Sequence, residues 1–373
     1  MKKKVLGVAS TSYHLMVFLF IKDAFLQDAQ VDLVVTDKSP YLRELYESGR
    51  LLRYFHRVFF ADAHRIKNPY KSAFVTLFES FFYNPTTKVM LEEDTYADLA
   101  VYDDLYFASP GVPDEIVKEL IKTLIKRNRA LSMHRFEDGF ASYTKPPVCA
   151  ISTLLGQKLY KTFFGYDVTK QENELFLFEP TLAESNVSDT ESTGFTLRQI
   201  PKTEERIRFV TEQIRDILRF ESRSFSEKYM FLGQGTANGM QNPVTYRKLI
   251  TDIADAVGRD NFVVKPHPRG EHDVFDASIK LYLDTCPFEL AVADGTMEDK
   301  VLISYYSTAC VSGKLLFNSH SKIIFVYPLA GDSFNEKCDY EDYFSKLCDL
   351  YDNVFVARTR EELFSLLELQ PHL

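Results

Sequence analysis

Three short stretches of the chain carry residue types that could do acid–base or anion chemistry. In residues 261–270, NFVVKPHPRG, an apolar run ends at Pro266 and Pro268, which withhold their backbone donors and stop a strand. His267 is held stiffly between those prolines, with Lys265 and Arg269 on either side, so a titratable imidazole sits among fixed cations where an anionic group such as a nucleotide phosphate would bind. The second stretch is Glu137-Asp138-Gly139. Two adjacent carboxylates raise one another's pKa and glycine permits a positive φ, which suits a general base at a strand end, although E-D-G is also a common turn. The third is Tyr305-Tyr306-Ser307-Thr308, whose hydroxyls stand at an expected helix start and suit a phosphate, or simply cap the helix.

The elements that must position these residues follow a β-α alternation. Residues 4–9 read as a first strand, Ser10-Thr11-Ser12 as a capping turn, 13–26 as a helix and 31–36 as a second strand. Ser12, Tyr13 and His14 therefore fall at the carboxyl end of the first strand, where an acceptor could be lined. Residues 41–55 read as a helix, 57–61 as a strand, and the aromatic run 74–83 as a core helix. A strand-like segment at 97–109 contains Asp103 and Asp104, read as structural because the D-x-D spacing of a metal site is absent. The spacing of Ile116, Val117, Leu120 and Leu124 predicts an amphipathic helix over 113–126, and a short strand then leads into Glu137.

Residues 184–193, ESNVSDTEST, are the most linker-like in the chain, and divide it into expected domains at 1–190 and 191–373. Beyond them come a helix at 203–220, a strand at 228–232, the loop Gly233-Gln234-Gly235-Thr236 and a helix at 244–257. Alone, G-x-G is weak evidence, but a position between strand and helix is right for backbone N–H groups to meet an anion. Strands are expected at 262–265, 288–292, 301–304, 322–327 and 354–357, with a last helix at 361–367. A parallel sheet would align the GQG, KPHPR and YYST stretches along one edge.

With 373 residues, 45% of them hydrophobic and 26% charged, the chain can hold two ordinary globular cores. The formal net charge of −9 argues against non-specific nucleic-acid binding. Five scattered cysteines without a C-x-x-C pair suggest neither a disulfide framework nor a zinc site, and fit a reducing cytoplasm. Polar residues from Ser10 to His14 interrupt the apolar run after the first lysines, so a strand and helix explain that region better than a signal peptide, and no stretch reaches the ~18 apolar residues of a membrane span.

The combination of Glu137-Asp138-Gly139, a later His267-Pro268 and Ser307-Thr308 resembles the motifs of bacterial sialyltransferases, most nearly the lipooligosaccharide sialyltransferases of glycosyltransferase family 52 and the capsule polysialyltransferases. The opening STSYHL also resembles their first strand-to-helix turn. The resemblance implies an α/β GT-B fold, two doubly wound Rossmann-like domains facing a central cleft, the first binding the acceptor and the second the nucleotide sugar. It implies an inverting transfer from CMP-sialic acid, as donor substrate rather than cofactor, with no required metal. Glu137 or Asp138 would deprotonate the acceptor hydroxyl, and His267 would protonate or hydrogen-bond the departing phosphate. Ser307 and Thr308 would hold that phosphate, with Gly233, Gln234, Gly235, Lys265, Pro268 and Arg269 around the donor and Ser12, Tyr13 and His14 toward the acceptor. In the lipooligosaccharide branch the base lies in the donor-domain loop, where this chain has Gln234-Gly235-Thr236 and no carboxylate. That departure favours the E-D-G pair, and within it Glu137, for its longer reach and by likeness to the polymerising branch. The acceptor would be an oligosaccharide or glycolipid of a surface polysaccharide, bringing a cytoplasmic enzyme into peripheral contact with the inner face of the membrane. The rivals are a transferase using a UDP-hexose or CDP-glycerol, and a catalytically silent GT-B-like partner in polysaccharide assembly.

Overall fold

The computed structural model describes residues 2–36, 38–61, 99–108, 115–144, 158, 161–162, 165–183, 195–219, 226–233, 243–267, 275–283, 287–329 and 337–368. They form two compact units, Met1–Arg219 and Phe220–Leu373. The aromatic run at 74–83, the linker-like 184–193, and Gln234, Gly235, Thr236, Pro268 and Arg269 lie outside the described residues.

The first unit is built on seven parallel strands: β1 (Lys4–Ala9), β2 (Gln30–Thr36), β3 (Val58–Ala61), β4 (Asp104–Ala108), β5 (Ser132–Phe136), β6 (Glu172–Leu177) and β7 (Thr196–Gln199). Their order is β3-β2-β1-β4-β5-β6-β7, so the direction of winding reverses between β1 and β4. In a sheet of this kind ligands bind beyond the carboxyl ends of the strands at that reversal. The central strands are buried along nearly their whole length, as strands covered on both faces must be. Helix α1 (Ser12–Phe25) starts at a cap made by Thr11, whose hydroxyl accepts from the His14 N–H. Helix α1 lies so close to β1 that a Cβ on Gly7 would come 2.1 Å from the Phe18 ring; only glycine allows that approach.

Where a single helix is expected over 41–55, Gly49 takes φ +67° and splits it into α2 (Pro40–Glu47) and a 3₁₀ turn, Arg50–Arg53. Helix α3 (Glu115–Arg127) buries the predicted Ile116, Val117, Leu120 and Leu124 against β4 and β5. The expected division at 190/191 gives way to one after Arg219. Strand β7 pairs with β6, and helix α4 (Glu204–Leu218) packs on α1, so both belong to the first core; local composition carries no trace of such pairing.

The second unit holds six parallel strands: β8 (Tyr229–Leu232), β9 (Phe262–Lys265), β10 (Lys280–Leu281), β11 (Val301–Ser304), β12 (Lys322–Phe325) and β13 (Val354–Val356), in the order β10-β9-β8-β11-β12-β13. The winding reverses between β8 and β11. Helix α5 (Pro243–Val257) follows β8, and α6 (Phe288–Ala293) occupies the segment expected as a strand at 288–292. A short apolar run does not by itself distinguish buried strand from buried helix; here Pro287 precedes the first turn and Glu289 sits in it, both of which suit a helix start. Helix α6 packs on α7 (Thr308–Phe317), with Gly313 so near Val292 that a Cβ there would lie 2.5 Å from its Cγ1. Helices α8 (Lys337–Leu350) and α9 (Arg360–Leu366) complete the unit, the latter starting in a capping box of Thr359 and Glu362. Among the described residues no helix is long and apolar enough to cross a membrane.

Candidate active site

Strand β5 ends at Phe136, and the chain then delivers two carboxylates into different environments. Glu137 is fully buried. Its Oε1 accepts from the Tyr13 hydroxyl, and its Oε2 accepts from the Tyr143 hydroxyl and from the Phe178 N–H at 3.1 Å. Burial pushes its carboxyl up to about 7, against the downward pull of these donors and of Lys202. Asp138 instead keeps 37% of its side chain exposed. Its Oδ1 accepts from His14 Nε2, and its backbone N–H donates to Ser142 Oγ at 2.7 Å. Gly139 follows with φ +73°, the left-handed conformation its identity allows at the turn.

The tautomer of His14 follows from its partners. The Ser10 N–H donates to Nδ1 at 3.3 Å, so in the neutral ring the proton resides on Nε2 and points at Asp138. Only 8% of the His14 side chain is exposed and both nitrogens are engaged, so Asp138 is the member that faces outward. Ring packing holds the arrangement. Phe136 stands edge-on to His14 with centroids 6.1 Å apart and stacks on Phe18 at 6.0 Å, joining the first turns of α1 to the end of β5.

Residues 124 apart in sequence thus meet at the carboxyl edge of one sheet, beside its winding reversal. The expected acceptor-lining roles of Tyr13 and His14 change: both are spent on the carboxylates, Tyr13 beneath Glu137 and His14 beneath Asp138. Ser12, the third of that trio, is the first residue of α1. The reach expected of Glu137 is likewise turned inward, because its two oxygens are taken up by the core of its own unit. Sequence reading missed Tyr143, Ser142 and the Phe178 N–H. The first two follow E-D-G within six residues, a signal that was available; Phe178 arrives through β6, which the sequence did not reveal.

In the second unit the three expected anion-binding stretches follow β9, β8 and β11, which are consecutive in the sheet. The Gly233 N–H donates to the Lys265 carbonyl at 2.8 Å, tying the loop after β8 to the end of β9. Ser304 Oγ donates to the Leu232 carbonyl at 2.9 Å and accepts from the Ser307 N–H at 3.1 Å, tying β8 to the turn after β11. Ser307 caps α7, its Oγ accepting from the Ala309 N–H at 3.3 Å, and Thr308 begins the helix. The capping account of Ser307 therefore holds, and the helix start it caps points its free backbone donors off the same sheet edge. Lys265 lies with its ammonium 4.8 Å from the Tyr282 ring centroid, and His267 is half-buried just past β9. Among the described residues no group of three or more His, Cys, Asp or Glu side chains is placed to hold a metal ion.

No protein-family model and no curated protein sequence matches the chain. Solved structures do resemble it. UDP-GlcNAc 2-epimerase from Methanocaldococcus jannaschii matches over 100% of this chain and 93% of its own, with TM-score 0.54 at 10% identity. Arabidopsis thaliana UGT89C1, complexed with quercetin, matches over 100% of this chain and 91% of its own (TM-score 0.50, 11% identity). The glycotransferase of kitacinnamycin matches over 98% and 90% (TM-score 0.50, 11% identity). At such identities the likeness is one of fold: with its parallel sheets of seven and six strands, the chain has the α/β, two-Rossmann-unit GT-B fold.

Proposed function

We propose that the chain is an inverting glycosyltransferase that uses a nucleotide-activated sugar, with Asp138 as the general base. The observation that carries this is the division between the two carboxylates: Asp138 is partly exposed and fixed through Oδ1 by His14, while Glu137 is sealed in the core. A base must reach the proton it takes, and a residue whose carboxylate is held from one side can offer the other oxygen to an acceptor hydroxyl. The acceptor oxygen attacks the anomeric carbon as its proton passes to Asp138. The bond from that carbon to the donor's phosphate oxygen breaks, and the nucleotide leaves with the electron pair. His267 donates a hydrogen bond or proton to that oxygen, and Lys265, Ser307, Thr308 and the N-terminal donors of α7 meet the phosphate, offsetting charge that grows in the transition state. Glu137 and His14 are positioning residues.

For the donor, the motifs that resemble bacterial sialyltransferases support CMP-sialic acid, and a glycan of a bacterial surface polysaccharide as acceptor. The fold is shared by proteins acting on other nucleotide sugars, so the donor rests on those motifs alone. The test is release of free nucleotide from CMP-sialic acid, a UDP-hexose and CDP-glycerol, each with a panel of galactosides and sialosides. Acceptor-dependent release of CMP from CMP-sialic acid is the expected result. Release from UDP-hexose or CDP-glycerol alone would replace the donor assignment, and release from none would leave a binding protein with this fold.

A further inference from the structure

Strand β6 carries one residue more than its neighbour β5 can match. Met133 stands opposite Glu172 and His134 opposite Glu174, so the pairing shifts at Asn173. The register beyond that shift is the one that reaches the candidate site. There Phe136 stands opposite Phe176, the Glu137 N–H donates to the Phe176 carbonyl at 3.1 Å, and the Phe178 N–H donates to Glu137 Oε2 at 3.1 Å. A slip of β6 by one residue would turn its side chains to the opposite faces of the sheet and withdraw the Phe178 N–H from Glu137.

Parallel strands covered on both faces are ordinarily apolar, yet charged or titratable side chains gather at this shift. His134 and Arg135 are adjacent on β5 and so point to opposite faces. On one face His134 Nδ1 lies 2.8 Å from Glu174 Oε2, its Nε2 lies 3.2 Å from Asp104 Oδ1, and its ring stacks on Tyr106 with centroids 4.4 Å apart. Glu174 also accepts from Arg198 Nε at 2.8 Å, and Asp104 pairs with Lys3 at 2.5 Å, so the network crosses β4, β5, β6 and β7. On the other face Arg135 Nε donates to Glu172 Oε1, both side chains fully buried. In a regular strand Glu172 and Glu174 would share a face; the extra residue between them lets each meet its own partner. We infer that His134 and Glu174 are positioning residues: their contact, with Arg135–Glu172 on the reverse face, pins the register of β6 and so delivers the Phe178 N–H to Glu137. This role bears on transfer only through the reading of Glu137 and Asp138 as the base site, and its test needs no activity.

The experiment is NMR of the full chain, following the Phe178 amide and the Glu137 carboxyl carbon across about pH 5–9. In the wild type both should titrate together close to pH 7, where burial places the Glu137 carboxyl. His134→Leu should silence the response of the Phe178 amide and raise the Glu137 midpoint by roughly half a pH unit or more, because a donor that favours the charged form is withdrawn. His134→Gln, whose amide can still donate to Glu174, should recover most of the wild-type behaviour. Glu174→Gln keeps the shape of the side chain and leaves Arg135–Glu172 intact; it should move both signals in the same direction, and it decides the matter if His134→Leu does not fold. His56→Leu, which breaks a 3.1 Å contact with Asp32 elsewhere in the first unit, controls for destabilisation alone and should leave both signals as they are. A Phe178 amide that still follows Glu137 with an unmoved midpoint in folded His134→Leu or Glu174→Gln would overturn the role, as would an equal shift in His56→Leu or wild-type signals that titrate apart. None of these outcomes depends on sugar transfer, and failure to detect transfer would leave each of them readable.

Discussion

Replacing Glu137 by Gln tests the assignment of that carboxylate to the core, through the pH dependence of stability. Burial raises its pKa from an ordinary 4.5 to about 7, outweighing the donors from Tyr13, Tyr143 and Phe178 and the charge of Lys202. Below pH 4.5 the group is protonated in both folded and unfolded chains, and its contribution is fully present. Between pH 4.5 and 7 the unfolded chain has released the proton while the folded chain still binds it, so stability falls by about 1.4 kcal/mol per pH unit. Over that window the loss amounts to about 3 kcal/mol, and above pH 7 it is complete. Glu137→Gln cannot ionise, and whatever its amide costs against the two tyrosine hydroxyls is constant with pH. The stability of the wild type minus that of the variant should therefore fall by about 3 kcal/mol from pH 4.5 to above 7. Urea unfolding at half-unit pH steps measures it, followed by circular dichroism because the chain has no tryptophan. The subtraction cancels every other titrating group. A difference that stays flat, or rises with pH, would refute the buried, proton-holding role of Glu137.

Asp138→Asn should lower transfer by ~10²–10⁴-fold with nucleotide binding intact; a loss of only a few-fold, or an equal loss in folded Glu137→Gln, would move the base elsewhere. His14→Ala should lower kcat more than it raises KM, and His14→Gln, whose amide can still donate to Asp138, should recover part of the loss; if the two behave alike, His14 does not act through that bond. His267→Ala should nearly abolish transfer without lowering the melting temperature, whereas loss of both would make the residue structural. Gly7→Ala should destabilise the first unit by about 1–3 kcal/mol, since the new Cβ would have to displace the Phe18 ring or α1 itself, and a neutral effect would show that the helix can retreat.

What could be read from the sequence divides along a physical line. The β-α-β opening, the Thr11 cap, the core face of α3 and the positive φ of Gly139 are each written within a few residues, as periodicity, capping chemistry or the freedom of glycine. That the GQG, KPHPR and YYST stretches follow strands of one parallel sheet was also legible, and β9, β8 and β11 are consecutive in it, so their carboxyl ends share one edge. Pairings that close the first unit were not: nothing local announces that β7 lies beside β6, which is why the division falls after Arg219 and not near 190. The choice between Glu137 and Asp138 belongs to this second kind. Alternation along an extended segment says that adjacent side chains point opposite ways, but which way is inward depends on Tyr13 from α1 and on the Phe178 N–H from the end of β6. Once those partners are known the longer side chain becomes the anchored one, its length used to reach across the core to two tyrosines. The shorter one, carried one residue further along the turn, is left at the sheet edge with one oxygen on His14. Reach alone therefore misjudges a carboxylate pair; the member whose oxygens are taken up inside the core is the one that an acceptor hydroxyl cannot reach.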